Sequence, residues 1–499
     1  MRIADNKSSH AVGNSLPGEF VNTERFPAPL YAETVLAPNF EEAQRSFLDA
    51  LLEIHYAHTR MLAAQDILTV SEEQTLRHAL DRLDRKAIAD ARYDGSHEDL
   101  FFFIETLLEE SCGALAGKMH TARSRNDIAI TLYRMTLRVG LLELAGVVAE
   151  VRRAVLDLAA RHVDTIMPAH THTQPAQPTT LAHYLLAAAE FLARDGARIQ
   201  AAFARVNLSP LGACAITTTG FSIDRRMTAE LLGFEGLAEN SYGAIASIDY
   251  LTESASAVAV AMVNSGKLAQ DLLLWSTREF GLLRLSDAFV QSSSIMPQKR
   301  NPVALEHVRI LASRALGEAQ AVLTCAHNTP FGDINDSEDD LQPLVFTMLS
   351  DASRSLRLLA GLLRSAEVDR DRLARRAGSD FMTVTELADT LVRKAGLSFR
   401  EAHTLVSNAV KAAGADDSAQ AIAAALQAQN PGLRLSYDEI ERSLDPRNFV
   451  NVRRIVGGPA PEVVTEALAR ARAEQAGVEQ WIRSKMEFLD AARRRNTGG

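Results

Sequence analysis

Residues 128 to 163 read IAITLYRMTLRVGLLELAGVVAEVRRAVLDLAARHV, a run rich in Ala, Leu and Val that holds no proline and only Gly140 and Gly146 as glycines. Residues of this kind lose little freedom on entering a helix, and nothing in the stretch ends one. The run predicts a helix far longer than the globular average of about 11 residues. Two more Ala/Leu/Val-rich segments, nearly free of Gly and Pro, lie at roughly 244 to 278 and 338 to 366. An Ala-rich face such as SASAVAVAMV, 254 to 263, suits close helix approach, and a very long apolar helix needs partners on several sides. A bundle shared between subunits supplies them. Alternating Val, Ile and Thr runs bounded by turn residues are scarce, so the fold class read here is all-α.

Upstream, the apolar residues from Asn39 onward recur at helical spacing, with Phe47, Leu51, Ile54 and His58 near one face. Residues 1 to 25 are polar, hold Gly and Pro, and show no period. Beyond about residue 376 the breaks come more often, as in GLSFREAH and NPGLRLSYDEI. The expected organisation is a flexible extension over 1–25, a helical N-terminal domain over 26–127, a central long-helix domain over 128–376 and a small helical C-terminal domain over 377–499.

The net charge of -10 comes from interspersed acids and bases, so no basic stripe offers itself to nucleic acid. Cys112, Cys214 and Cys325 are far apart and lack metal-ligand or disulfide-framework spacing. That fits a reducing cytoplasm, and neither a metal nor a cofactor is expected. No positive start followed by an apolar run opens the chain, and no charge-free stretch of about 18 apolar residues occurs. Secretion and membrane spanning are not expected.

The least helical stretch is QSSSIMPQKRNP, 291 to 302, between two long helical segments. Small hydroxyls, free backbone donors and the charge of Lys299 are what an anion-binding loop needs. Composition alone favours a solvated linker. The segment is similar to the GSSxMPxKxN motif of the fumarase/aspartase superfamily, with Ser292 in place of the leading Gly. GKMHTARSRND, 117 to 127, resembles the run GKLHTGRSRND of the argininosuccinate lyase family within it. HTHTQPAQPTT, 170 to 180, resembles YTHxQxAQP and sets Thr171 and His172 beside a Pro-interrupted turn. PLGACA (210 to 215) and SIDRR (222 to 226) are similar to PLGxGA and IDRE, with Cys214 for a Gly and Arg226 for an acid. Near the end, TELADTLVRKAGLSFREAH (385 to 403) and DPRNFVNVRRIVGGPAPEVV (445 to 464) also match family elements. The resemblance runs from about residue 26 to 470.

What the resemblance implies is a three-domain fumarase/aspartase-like fold, a homotetramer with composite active sites, and an elimination that releases fumarate from an N-succinyl amine. Such a reaction removes a proton next to a carboxylate, so the enediolate-like carbanion needs electrostatic support. By resemblance Ser293 is the general base, with its pKa lowered by the loop and Lys299. Lys299, Asn301, Ser124, Arg125, Asn126 and Thr171 match the carboxylate-holding positions, and Ser294 with donors near Met296 completes the cradle. His172, oriented by Glu306, stands for proton delivery to the departing nitrogen.

Three departures bear on the amine half. The family's YNRDLQEDK stretch reads FGDINDSEDDLQP here, 331 to 343, so a Tyr is lost and a Lys becomes an acid. Asp333, Asp336, Glu338, Asp339 and Asp340 make this wall negative, which suits a cationic amine, although solvated surface explains the charge equally. DLFFFIE, 99 to 105, puts phenylalanines where the family has polar residues, implying a bulkier or more apolar amine pocket. NSYGAIASIDY, 240 to 250, lacks the family's acids. The readings left open are an argininosuccinate lyase, a paralogue acting on another N-succinyl amine, and a catalytically silent crystallin-like relative.

Overall fold

Ser124 begins the longest central helix, for a local reason. Its side chain accepts from the amide of Asn126 while Asp127 accepts from the Ser124 amide at 2.9 Å, a capping box that satisfies the orphan donors of the first turn. The computed structural model describes residues 26–498; the expected extension over 1–25 lies outside them. The labelled helices are α1 (Leu48–Ala64), α2 (Leu100–Cys112), α3 (Arg125–Ala160), α4 (Leu181–Val206), α5 (Asp249–Ser276), α6 (Val303–Ala326), α7 (Gln342–Ser365), α8 (Val384–Ala395), α9 (Phe399–Ala413), α10 (Ala419–Gln429), α11 (Tyr437–Leu444) and α12 (Pro461–Thr497). The all-α class holds, with only short pairings interrupting it. β1 (Ile166–Thr171) meets β2 (Gln174–Thr180), and β3 (Gln291–Ser292) meets β4 (Arg300–Asn301), both antiparallel.

The three segments singled out from the sequence are helical over 125–160, 249–276 and 342–365. Between them α4 and α6 complete a five-helix bundle that the sequence reading had not separated out. Side-chain bonds fix its register. Arg134 reaches Arg205 O at 2.9 Å and Arg152 reaches Ala189 O at 3.1 Å, so α4 runs antiparallel to α3. Asn264 meets Asp195 at 3.0 Å and Tyr184 meets Asp271 at 2.7 Å, so α5 reverses again. Arg309 to Gln270 (2.7 Å) and Ser355 to Val308 O (2.8 Å) carry the alternation through α6 and α7.

The bundle therefore has two ends. At one lie Ser124, the loop after α4 and the segment 327–341; at the other lie the β1–β2 hairpin and the β3–β4 hairpin. At 1.5 Å per residue α6 alone separates them by about 36 Å, and α3 spans about 54 Å.

α3 is buried over most of its surface, including the arginines Arg134, Arg138 and Arg152, and leaves only a stripe through Val139, Glu143, Arg153 and Asp157 exposed. Arg138 donates to Asn207 Oδ1 (2.9 Å), Gly233 O (3.1 Å) and Leu232 O (2.6 Å), and Arg134 stacks 4.1 Å over the Tyr250 ring. Cations placed on the last carbonyls of α4 also complement its dipole. One apolar cluster runs continuously from Phe40 through the bundle and takes in Val464, Leu468 and Ile482 of α12. A second, around Leu387, Leu391, Val406, Ile422 and Ile440, is separate. The expected 377–499 unit thus divides: α8 to α11 form their own core, while α12 returns to the bundle, with Arg472 bonded to Asp157 at 3.0 Å and Gln475 to Ala149 O at 2.9 Å. Frequent chain breaks mark the first part, but the helix pattern of 461–497 carries no sign of which core it joins. Among the described residues no helix is long and apolar enough to cross a membrane.

Candidate active site

At the Ser124 end, the first turn of α3 is tied to two other segments. The Arg125 guanidinium pairs with Glu98 (3.0 Å) and Asp99 (2.9 Å) and lies 5.0 Å over the Phe102 ring. Asn126 Nδ2 donates to Asp333 Oδ2 at 2.7 Å and to Ala215 O at 3.3 Å. Between these groups opens a cavity of about 240 Å³ walled by Glu98, Asp99, Arg125, Asn126, Asp333, Glu338, Asp339 and Asp340. Tyr133, buried in α3, donates its hydroxyl to Asp339 and so holds the acidic segment over the helix start. Burial first, and then the neighbouring Asp333 carboxylate, push the Glu338 carboxyl up to about 8. The wall is mainly polar and acidic, with Val35, Leu36 and Phe40 among its apolar part. The phenylalanines that implied an apolar pocket do not line it, because Phe101 packs in the core beneath Arg123 and Phe102 lies beneath Arg125.

At the other end, Ser293, Ser294, Met296 and Lys299 share the tip of the β3–β4 hairpin, with Asn301 in its returning strand. The tip is largely solvent-exposed, and its feet are fixed by Arg300, which bonds Leu285 O at 2.9 Å and pairs with Asp287. Ser293 Oγ accepts from the backbone amides of Met296 (3.1 Å) and Ile295 (3.4 Å). An oxygen that has to carry negative charge gains from two such donors. Glu306 is exposed on the first turn of α6.

Thr171 and His172 sit at the tip of the β1–β2 hairpin, where Thr171 faces Gln174 across a two-residue turn. The expected Pro-interrupted turn is a true hairpin whose tip residues His172 (φ 51°) and Thr173 (φ 63°) are both left-handed, the geometry of a type I′ turn. Non-glycine residues there store strain of order 1 kcal/mol each, common at functional positions. Among the described residues neither the His172 ring nor the Glu306 carboxylate has a side-chain partner in the same chain, and no hydrogen bond or ion pair joins the two hairpins to Ser124–Asn126.

The sequence reading did not pick out Glu98, Asp99, Tyr133 or Asp127 as site groups. Asp99 could have been found as the N-cap of α2, since an acid directly before LFFFIE is a helix-start signal. Cys214 takes φ 54° where the family has glycine, and its thiol, raised by burial to about 11, donates to Ala122 O at 3.2 Å. Among the described residues no group of His, Cys, Asp and Glu is arranged to hold a metal ion.

A lyase family profile matches residues 42–317, and a profile of the argininosuccinate lyase C-terminal region matches 381–451. The chain is 41% identical over 468 residues to argininosuccinate lyase 2 of Agrobacterium fabrum, covering 92% of this chain and 93% of that one. It is 40% identical over 455 residues to argininosuccinate lyase of Methanoculleus marisnigri, covering 90% and 92%. Among solved structures it is similar to an EDDS lyase variant with bound fumarate, with a TM-score of 0.83, 34% identity, and coverage of 94% of this chain and 96% of that one.

Proposed function

Because the chain belongs to the argininosuccinate lyase family, we infer that it is a carbon–nitrogen lyase that splits an N-succinyl amine into fumarate and the free amine. The observation that carries the chemistry is the Ser293 oxygen, cradled by two backbone amides on the same hairpin tip as Lys299. Ser293, as its alkoxide, takes the proton from the carbon next to the distal carboxylate. The electron pair passes into that carboxylate as an enediolate, stabilised by Lys299, Asn301 and the Ser294–Met296 turn. Its collapse expels the nitrogen, to which His172, oriented by Glu306, delivers a proton. Ser124, Arg125, Asn126 and Thr171 hold the succinyl carboxylates.

These groups meet only across chains. From Ala160 to Thr171 the backbone can reach at most about 38 Å, short of the roughly 54 Å back along α3 to Ser124. A complete site takes its hairpins and its Ser124–Asn126 run from different copies, and a homotetramer packed through the long helices satisfies this. Val260, Val263 and Leu274, exposed along one face of α5, support that packing. The three unpaired cysteines support the cytoplasm as its compartment.

The acidic cavity beside Arg125 and Asn126 favours an amine half that is cationic and carries no carboxylate, such as a short diamine. Close identity to argininosuccinate lyases favours arginine instead. Fumarate addition to a panel of α,ω-diamines and to arginine, followed by loss of fumarate absorbance, separates the two readings; consumption with neither overturns both. With a diamine, the double variant Asp333→Asn/Glu338→Gln should raise the amine KM by about tenfold or more and leave fumarate inhibition unchanged. The pH sense follows from the raised Glu338 carboxyl. The folded protein holds a proton that the unfolded chain loses near its ordinary carboxyl pKa, so Glu338 makes stability fall as pH rises from about 4.5 to about 8. Amine affinity moves the other way, strengthening as that proton leaves. A thermal-melt series from acid to mildly alkaline pH should slope less in Glu338→Gln.

A further inference from the structure

Asp127 is fully buried, and its two oxygens serve different segments. Oδ1 accepts from the Ser124 amide at 2.9 Å, whereas Oδ2 accepts from the amides of Gly212 (2.8 Å) and Cys214 (3.0 Å). A capping box needs only the first of these bonds. The second oxygen reaches a loop 85 residues away in sequence, in which Gly212 (φ 85°) and Cys214 (φ 54°) are both left-handed. A Cβ at Gly212 would stand 2.6 Å from the Arg225 side chain, so the loop passes close against its neighbours. The same loop presents Ala215 O to Asn126 Nδ2.

We propose that Asp127 is a positioning residue for substrate carboxylate binding, its carboxylate being the joint that sets Ser124, Arg125 and Asn126 against the 212–215 loop. The proposal rests on the reading that Ser124–Asn126 hold a carboxylate of fumarate. Three backbone donors converge on one acceptor-only group, so the joint needs the ionised form; protonation turns an O–H against an N–H. Burial raises the Asp127 carboxyl to about 6 in spite of those three amides and the nearby Arg123. Arg123 faces it from its own segment, and Arg225 and the neutral Cys214 thiol face it from the far side.

Asp127→Asn keeps the volume but turns an NH₂ toward either the Ser124 amide or the Gly212 and Cys214 pair. Fumarate binding, measured by calorimetry on the intact oligomer, should weaken about tenfold or more. Arg152→Met, which removes an equally buried polar network of α3, α4 and α12 far from this end, should lower the melting temperature and leave fumarate affinity as it was. Equal fumarate affinity in Asp127→Asn and the unsubstituted enzyme overturns the proposal, as does equal weakening in Arg152→Met. If the unsubstituted enzyme binds no fumarate, the functional reading falls and this proposal with it. Should Asp127→Asn not fold, the unsubstituted enzyme decides: affinity falling about fivefold or more between about pH 7 and about pH 5 supports the joint, and a flat profile refutes it.

Discussion

Ser293→Ala is expected to lower kcat by about 10³-fold, the contribution of a well-placed general base, with fumarate affinity and oligomeric state nearly unchanged. The expectation follows from what the oxygen does and does not touch. Among the described residues Ser293 Oγ accepts only from the amides of Ile295 and Met296, so its loss frees two exposed donors and breaks no core contact. A serine hydroxyl is a feeble base in water; two amide dipoles and the Lys299 charge on the same tip lower the energy of its alkoxide, most of all once solvent is excluded. Fumarate release followed by ultraviolet absorbance checks this. Turnover within a factor of about ten of the unsubstituted enzyme would remove Ser293 from the role of base and return the hairpin to the status of a carboxylate clamp.

Two inactive variants should restore each other. Ser293→Ala and Arg125→Ala lie at opposite ends of the bundle, so a site built across chains draws one position from each of two copies. When the two variants are unfolded together and refolded as a mixture, about a quarter of the sites should receive both unsubstituted contributions, and activity should return to about that fraction. Neither variant refolded alone should gain anything. A mixture as inactive as its parents would mean that each site is completed within one chain, contrary to the reach argument from α3. The prediction does not depend on which amine is the substrate.

The fold was readable where composition and punctuation agree. Runs rich in Ala, Leu and Val, with Pro343 at the start of α7 their only proline, gave α3, α5 and α7, because nothing inside such a run ends a helix. α4 and α6 follow hydroxyl- and proline-rich segments that drew attention to themselves as loops. α12 has the pattern of an exposed helix, and only contacts such as Arg472 with Asp157 show that it closes the bundle. At the site, motif resemblance named the hairpin tips and the Ser124 run. It could not name Tyr133 or Asp127, whose roles come from partners 206 and 85 residues away. The negative wall of 333–340 was legible as charge, but its position over Arg125 and Asn126 is a property of the α6–α7 turn.

The separation of the two ends along α6 bears on how such an enzyme changes its substrate. Ser293 and Lys299, and the acidic wall formed by Glu98, Asp333 and Glu338, belong to different ends of every chain, separated by about seven helical turns of packed core. A substitution in the 333–340 segment alters selectivity without repacking the β3–β4 hairpin, so new amines can be sampled while the elimination machinery stays intact. Directed evolution of this scaffold toward a new amine should therefore find its useful changes around Glu98, Asp333 and Glu338, and few of them near Ser293.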